Sequence, residues 1–260
     1  MRFRPCIDIH NGSVKQIVGG SLRDSGDEAK DNFVSLQSGG YYGRLYKEKG
    51  LSGGHIIILN PPSSEYYERD RQQALEALSA FEGGLQIGGG INNENAGEFL
   101  DAGASHVIVT SFVFRGGEIN EHNLSLMEKA VGRERLVLDL SCRKREGKYY
   151  IVTDRWQRFT DTVLDERTIY SLADRCAEFL VHAVDVEGKA GGIEDGIAEL
   201  LGRSEGIVST YAGGIHSFGD LDKLRKLGRG RVDFTVGSAL DIFGGDMDFE
   251  KVCGYGRQED

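Results

Sequence analysis

A repeat of half the chain constrains this sequence more than any other feature. An apolar strand pattern carrying an acid near its end occurs twice, as Pro5-Cys6-Ile7-Asp8-Ile9 and Leu136-Val137-Leu138-Asp139-Leu140. Each copy is followed by a strand that runs into glycines, Ile87-Gly88-Gly89-Gly90-Ile91 and Tyr211-Ala212-Gly213-Gly214-Ile215. A β-branched run ending near a small hydroxyl comes next, Val107-Ile108-Val109-Thr110-Ser111 and Phe234-Thr235-Val236-Gly237-Ser238. Asp8 and Asp139, Gly89 and Gly213, and Ser111 and Ser238 are 131, 124 and 127 residues apart. Matches at nearly one offset make an internal repeat, with halves at roughly 1–132 and 133–260.

Apolar runs near 3–9, 54–59, 84–88, 106–110, 135–141, 178–184, 207–211 and 232–236 are expected to be strands. Between them, helices are expected near 41–49, 69–81, 93–102, 121–131, 166–175, 194–202, 217–227 and 248–253. Strands apolar on both faces that alternate with helices describe a parallel sheet covered by helices. Eight such units in 260 residues favour closure, so the expected fold class is α/β, a (β/α)8 TIM barrel in a single domain over 1–260. Two connections are too long for turns. Residues 10–40, rich in glycine, read as a mobile lid, and residues 142–165 as a charged loop carrying Trp156, the only tryptophan.

Composition narrows the partners. The net charge of −10, without a basic run, argues against nucleic acid. The apolar runs are too short for a membrane span, and the amino end shows no secretion signal. A cytoplasmic location is expected, or an organellar one if a transit peptide has been removed. The four dispersed cysteines read as reduced thiols, and the six histidines lack metal-ligand spacing, so neither metal nor cofactor is expected. Glycine, at 37 residues, is about twice its roughly 7% average. Many of these glycines follow strands, where the backbone turns sharply or approaches a ligand.

In an eight-stranded barrel, strands 1 and 5 face each other, so Asp8 and Asp139 stand on opposite sides of the mouth where barrel active sites lie. Facing acids suit proton traffic on two sides of one molecule. The alternative is that each caps a loop or pairs with a nearby cation such as Arg143. Gly89-Gly90 and Gly213-Gly214 form two cups that, with Thr110-Ser111 and Gly237-Ser238, suit phosphate held by backbone N–H groups. Two phosphates at opposite rims imply a long substrate lying across the barrel. Trp156 either packs its loop or stacks on a flat heterocycle. His182 reads as a hydrogen-bonded residue lining the barrel rather than a catalyst. Glu187 reads as a third proton-handling group or as a partner of a helix start.

These stretches, with Cys6-Ile7-Asp8-Ile9-His10-Asn11-Gly12, Asp139-Leu140-Ser141-Cys142-Arg143-Lys144, His182 to Gly192 and Asp241-Ile242-Phe243-Gly244-Gly245, resemble one family. It is the phosphoribosylformimino-5-aminoimidazole carboxamide ribotide isomerases of histidine biosynthesis, in their eukaryotic-type branch. The resemblance implies an aldose-to-ketose (Amadori) rearrangement of a bisphosphorylated ribonucleotide, without cofactor or metal. It implies Asp8 as the base at C2′ of the opened ribose, Asp139 as the proton donor for ring opening, and the cups as the phosphate sites. It also implies that Trp156 can stack on the substrate's imidazole carboxamide; Arg143 and His182 are further expected substrate-binding residues. After strand 6 the common bacterial pattern has a Thr and an Asp-Gly-Thr, where this chain has His182 and Glu187-Gly188-Lys189. The general acid is therefore Asp139 or Glu187. Asn92 stands where the bacterial pattern has an Arg.

Two rival readings remain at this level. The sister cyclase shares barrel, acids and cups, but its pattern carries a Lys where this chain has Gln16. A non-catalytic phosphate-binding barrel is the other, since fold does not fix function. Because the two-fold repeat lies inside one chain, a monomer is expected.

Overall fold

The computed structural model describes residues 1–17, 31–115, 117–154, 156–188 and 191–255. Eight parallel strands follow one another in chain order: β1 Cys6–His10, β2 Gly54–Ile58, β3 Leu85–Gly88, β4 Val107–Val109, β5 Leu136–Asp139, β6 Glu178–His182, β7 Val208–Ala212 and β8 Asp233–Phe234. Each is followed by a helix: α1 Gly39–Glu48, α2 Tyr67–Ala80, α3 Ala96–Asp101, α4 Glu121–Val131, α5 Glu166–Ala173, α6 Asp195–Arg203, α7 Phe218–Leu227 and α8 Phe249–Tyr255. The sheet closes on itself where Phe3 bridges Phe234. Arg4 N donates to the Phe234 carbonyl at 2.8 Å, and Phe234 N donates to that of Arg2 at 3.0 Å. The fold is the expected α/β barrel.

Alternation along the strands divides the core in two. Ile7, Ile9, Ile56, Ile58, Ile87, Leu138 and Val181 belong to the large cluster packed against the helices. Ile57, Ile108, Val137 and Leu180 form a separate apolar layer inside the barrel. Below it, toward the strand starts, Arg4 donates to Asp233 at 2.7 Å and to Glu178 at 2.8 Å, and Gln86 donates to Glu178 at 2.6 Å. Above it the strand ends present Asp8, Asp139 and His182. Local signals set the helix starts: Ser38, Asn120 and Asp165 each accept a hydrogen bond from the first turn, and Ser217 with Asp220 makes a capping box. A Cβ at Gly43 would stand 2.6 Å from the Ala77 carbonyl oxygen, so that glycine is what lets α1 lie close on α2.

The two long connections are not simple loops. After β1 the chain turns back as Ser13–Ile17, antiparallel to β1, and Asp31–Val34 adds a further antiparallel strand. The middle of the expected lid, 18–30, lies outside the described residues. After β5 the chain makes a three-stranded antiparallel sheet of Cys142–Arg145, Lys148–Thr153 and Arg158–Val163. Both reversals are two-residue turns with positive φ at each centre, 51° and 80° at Asn11-Gly12, 53° and 79° at Glu146-Gly147. This is the turn whose twist suits a hairpin. The repeat thus extends to a hairpin after the first strand of each half.

Candidate active site

Two cavities, of about 400 and 390 Å³, open side by side at the carboxyl ends of the strands. Asp8, His182 and Glu187 belong to the walls of both, so the cavities are two lobes of one groove. The first lobe holds Gly89, Gly90, Thr110, Ser111, Asp139 and Trp156; the second holds Gly213, Gly214, Gly237 and Ser238. The structure therefore gathers almost every expected site residue at one mouth, with one cup in each lobe.

The cups match in their backbone. Gly89 and Gly213 have φ of 101° and 117°, Gly90 and Gly214 of 70° and 73°. L side chains rarely adopt such angles. Space forbids them as well: a Cβ at Gly89 would overlap the Ile58 carbonyl oxygen, and one at Gly213 would stand 2.8 Å from that of Ala183. Both rims are left as bare main chain, where an anion can reach peptide N–H groups.

Between the cups lies a cluster of ionisable groups. Asp8 sits on β1, half-buried. Burial pushes its carboxyl up to about 7, with the His182 charge opposing and the Glu187 charge adding. Asp139 ends β5 and is 8% exposed. Its Oδ1 accepts from Ser141 N at 2.8 Å and Ser141 Oγ at 2.6 Å, and its Oδ2 accepts from Thr110 Oγ1 at 3.2 Å. Burial alone would raise Asp139, but His182 and the Ser141 donors outweigh it and hold the carboxyl below its ordinary value. His182 ends β6 with Nδ1 3.7 Å from Asp139 Oδ1. Burial disfavours its charge, yet Asp139 above all, then Glu187 and Asp8, hold it above the ordinary histidine value. Glu187 is raised by burial, against the His182 charge.

Trp156, at φ 67°, donates from Nε1 to Ser141 Oγ at 3.1 Å, and its ring lies 5.6 Å from that of His182. Arg143 is placed elsewhere: it donates to Asp185 at 2.8 Å and belongs to neither cavity wall. Lys189 lies outside the described residues. Three residues that were not among the expected site residues belong to the site, Gln16 having entered only as the position that separates this chain from the cyclase pattern. Ser141 joins Asp139, Trp156 and His182; a hydroxyl two residues after a strand-ending acid is the local signal for such a bond. Gln16, 3% exposed, walls the second lobe beside Gly237 and Cys6. His55, on β2, faces the His182 ring edge-on at 5.9 Å. Among the described residues, no three His, Cys, Asp or Glu side chains are grouped to hold a metal ion.

Comparison with known proteins bears on this site. The profile of the family described as "Histidine biosynthesis protein" matches residues 2–247. A chloroplastic 1-(5-phosphoribosyl)-5-((5-phosphoribosylamino)methylideneamino)imidazole-4-carboxamide isomerase of Medicago truncatula is 50% identical, over 100% of this chain and 83% of its own. The isomerase of the same name from Yarrowia lipolytica is 47% identical, over 94% and 93% of the two chains. That of Saccharomyces cerevisiae is 40% identical, over 99% of each.

Proposed function

The chain belongs to the histidine biosynthesis protein family, and we propose that it works as the isomerase its relatives are named for, using the two-lobed mouth as a single site. It converts the phosphoribosylamino arm, an aldose, into the corresponding ketose. The observation that carries this reading is the pair of matched glycine cups, one in each lobe, flanking a wall shared by Asp8, His182 and Glu187. A substrate with a phosphate at each end fits that arrangement, its reacting ribose held over the shared wall. Trp156 offers the flat face for the imidazole carboxamide.

Asp8 is the base that takes the proton from C2′ of the opened ribose. Its carboxyl, at about 7, suits this task, because a base poised near the working pH is both ionised and strong enough. The proton that opens the ring comes from the opposite side, around Asp139. In the second lobe Gln16 stands where the cyclase pattern has a Lys, which favours isomerisation over ring-forming chemistry. The duplicated chain completes its own site, so it acts as a monomer. Its four cysteines are buried and not paired in disulfides, which suits a reducing compartment, cytosolic or organellar.

The test is conversion of the aminoaldose bisphosphate by the purified chain with a metal chelator present. Ketose formation is the expected result. Folded protein that yields none overturns the reading.

A further inference from the structure

The acid side of the mouth has more structure than a lone carboxyl. Asp139 accepts three hydrogen bonds, two from Ser141 and one from Thr110. A buried carboxylate with that many donors is held ionised, with no proton to give. Ser141 has one hydroxyl proton, and at 2.6 Å from Asp139 Oδ1 that proton is committed. Its oxygen also stands 3.3 Å from His182 Nδ1 and 3.1 Å from Trp156 Nε1. The indole can only donate, and the imidazole must donate too, since Ser141 has no second proton to offer. His182 therefore carries a proton on Nδ1, turned toward Ser141 and Asp139. Nε2 lies on the other side of a ring that walls both lobes.

We propose that His182 is the general acid of the isomerisation, and that Asp139 and Ser141 are positioning residues that fix its tautomer and hold its charge. The proposal rests on the isomerase reading and deepens it. The ionisable groups facing His182 are Asp139 from β5, Asp8 from β1, Glu187 from the turn after β6, and His55 from β2. Trp156 adds its uncharged ring. Burial, then the His182 charge, pushes His55 down to about 3, so of the two edge-on rings it is His182 that is held toward the charged form. Three carboxyls surround that ring.

The steps balance. The Nε2–H bond of the imidazolium breaks and its proton goes to the ribose ring oxygen. The C1′–O4′ bond opens with its electron pair on that oxygen, while the amino nitrogen's lone pair forms C1′=N. Asp8 takes the C2′ proton; the released pair forms C1′=C2′ and the C=N pair returns to nitrogen. The neutral imidazole then takes the proton of the C2′ hydroxyl as the ketone forms, and Asp8 returns its proton to C1′. Both groups end as they began.

The experiment compares kcat–pH profiles of wild type, His182→Gln and Ser141→Ala, with the His182 ring titrated by NMR in wild type and Asp139→Asn. We expect His182→Gln to lose about 10²–10⁴-fold in kcat, with KM little changed and the basic limb gone. Ser141→Ala should keep the limb but move it to lower pH. The ring should titrate above the ordinary ~6.5 in wild type and below it in Asp139→Asn. A His182→Gln enzyme with wild-type kcat and an intact basic limb overturns the proposal. Should that variant not fold, an unmoved limb in Ser141→Ala together with an unmoved ring titration in Asp139→Asn overturns it. Wild type is read first, so absence of any turnover there identifies failure of the isomerase reading itself.

Discussion

At Asp8, burial in the barrel mouth lifts the carboxyl to about 7, and this one shift sets two opposite pH dependences. In its proposed role as base Asp8 must be ionised, so turnover should rise as pH passes about 7. For stability the sign is reversed. The folded value lies above the ordinary 3.8, so between about 4 and 7 the native state binds more protons than the unfolded one. Stability then falls as pH rises through that window and stays lower above it. At about 1.36 kcal/mol per pH unit the full shift would cost roughly 4 kcal/mol; the mouth is open to water, and roughly 1–2 kcal/mol is the expected part. Asp8→Asn should therefore lower kcat by at least about 10²–10⁴-fold. It should also raise the melting temperature at pH 8, with no gain at pH 3, where the acid is protonated in both states. Calorimetry at the two pH values checks this; an equal gain at both would show that the carboxyl's charge is not the cause.

Among the elements, the glycine turns separate two kinds of constraint. Gly89 and Gly213 combine positive φ with a carbonyl oxygen in the way of any Cβ, whereas Gly147, at φ 79°, has nothing within 4 Å. Gly147→Ala should cost only the backbone term, about 1–2 kcal/mol. Gly89→Ala and Gly213→Ala should cost more and weaken phosphate-dependent binding; denaturant titration and binding of inorganic phosphate measure both. These cups were legible in the sequence because glycine at a strand end, twice, at one offset, has few other uses. So were the eight strands, whose apolar residues on both faces leave them no place outside a parallel sheet. The hairpins were hidden although Asn11-Gly12 is a strong turn signal, because the surrounding glycines suggested an irregular loop. The bond of Ser141 to Asp139 has a local signal, but its contact with His182, 41 residues away in the chain, has none. Arg143, beside Asp139 in sequence, is turned instead to Asp185 from the segment after β6.

The whole molecule holds its two halves in register by closure. Arg4, 2% exposed, ties the entry to β1 to β6 through Glu178 and to β8 through Asp233. Arg4→Met would remove that partner from the buried Asp233 and the half-buried Glu178, at an expected cost of about 3–5 kcal/mol. The melting temperature should fall accordingly, while a folded variant keeps its KM, because the cluster lies below the apolar layer and away from the mouth. Closure matters to function because each half supplies one cup and one of the facing acids, Asp8 or Asp139. Together the two halves should bind one molecule by both its ends. Calorimetric titration of Asp8→Asn, whose turnover should be slow enough for binding to be read, checks this, with the intact bisphosphate compared with its two monophosphate halves. The intact compound should bind far more tightly than either half, and each half should leave the other's lobe open to the second. If one half alone binds as tightly as the whole, the second cup contributes nothing and the account of a single site built from two repeats is wrong.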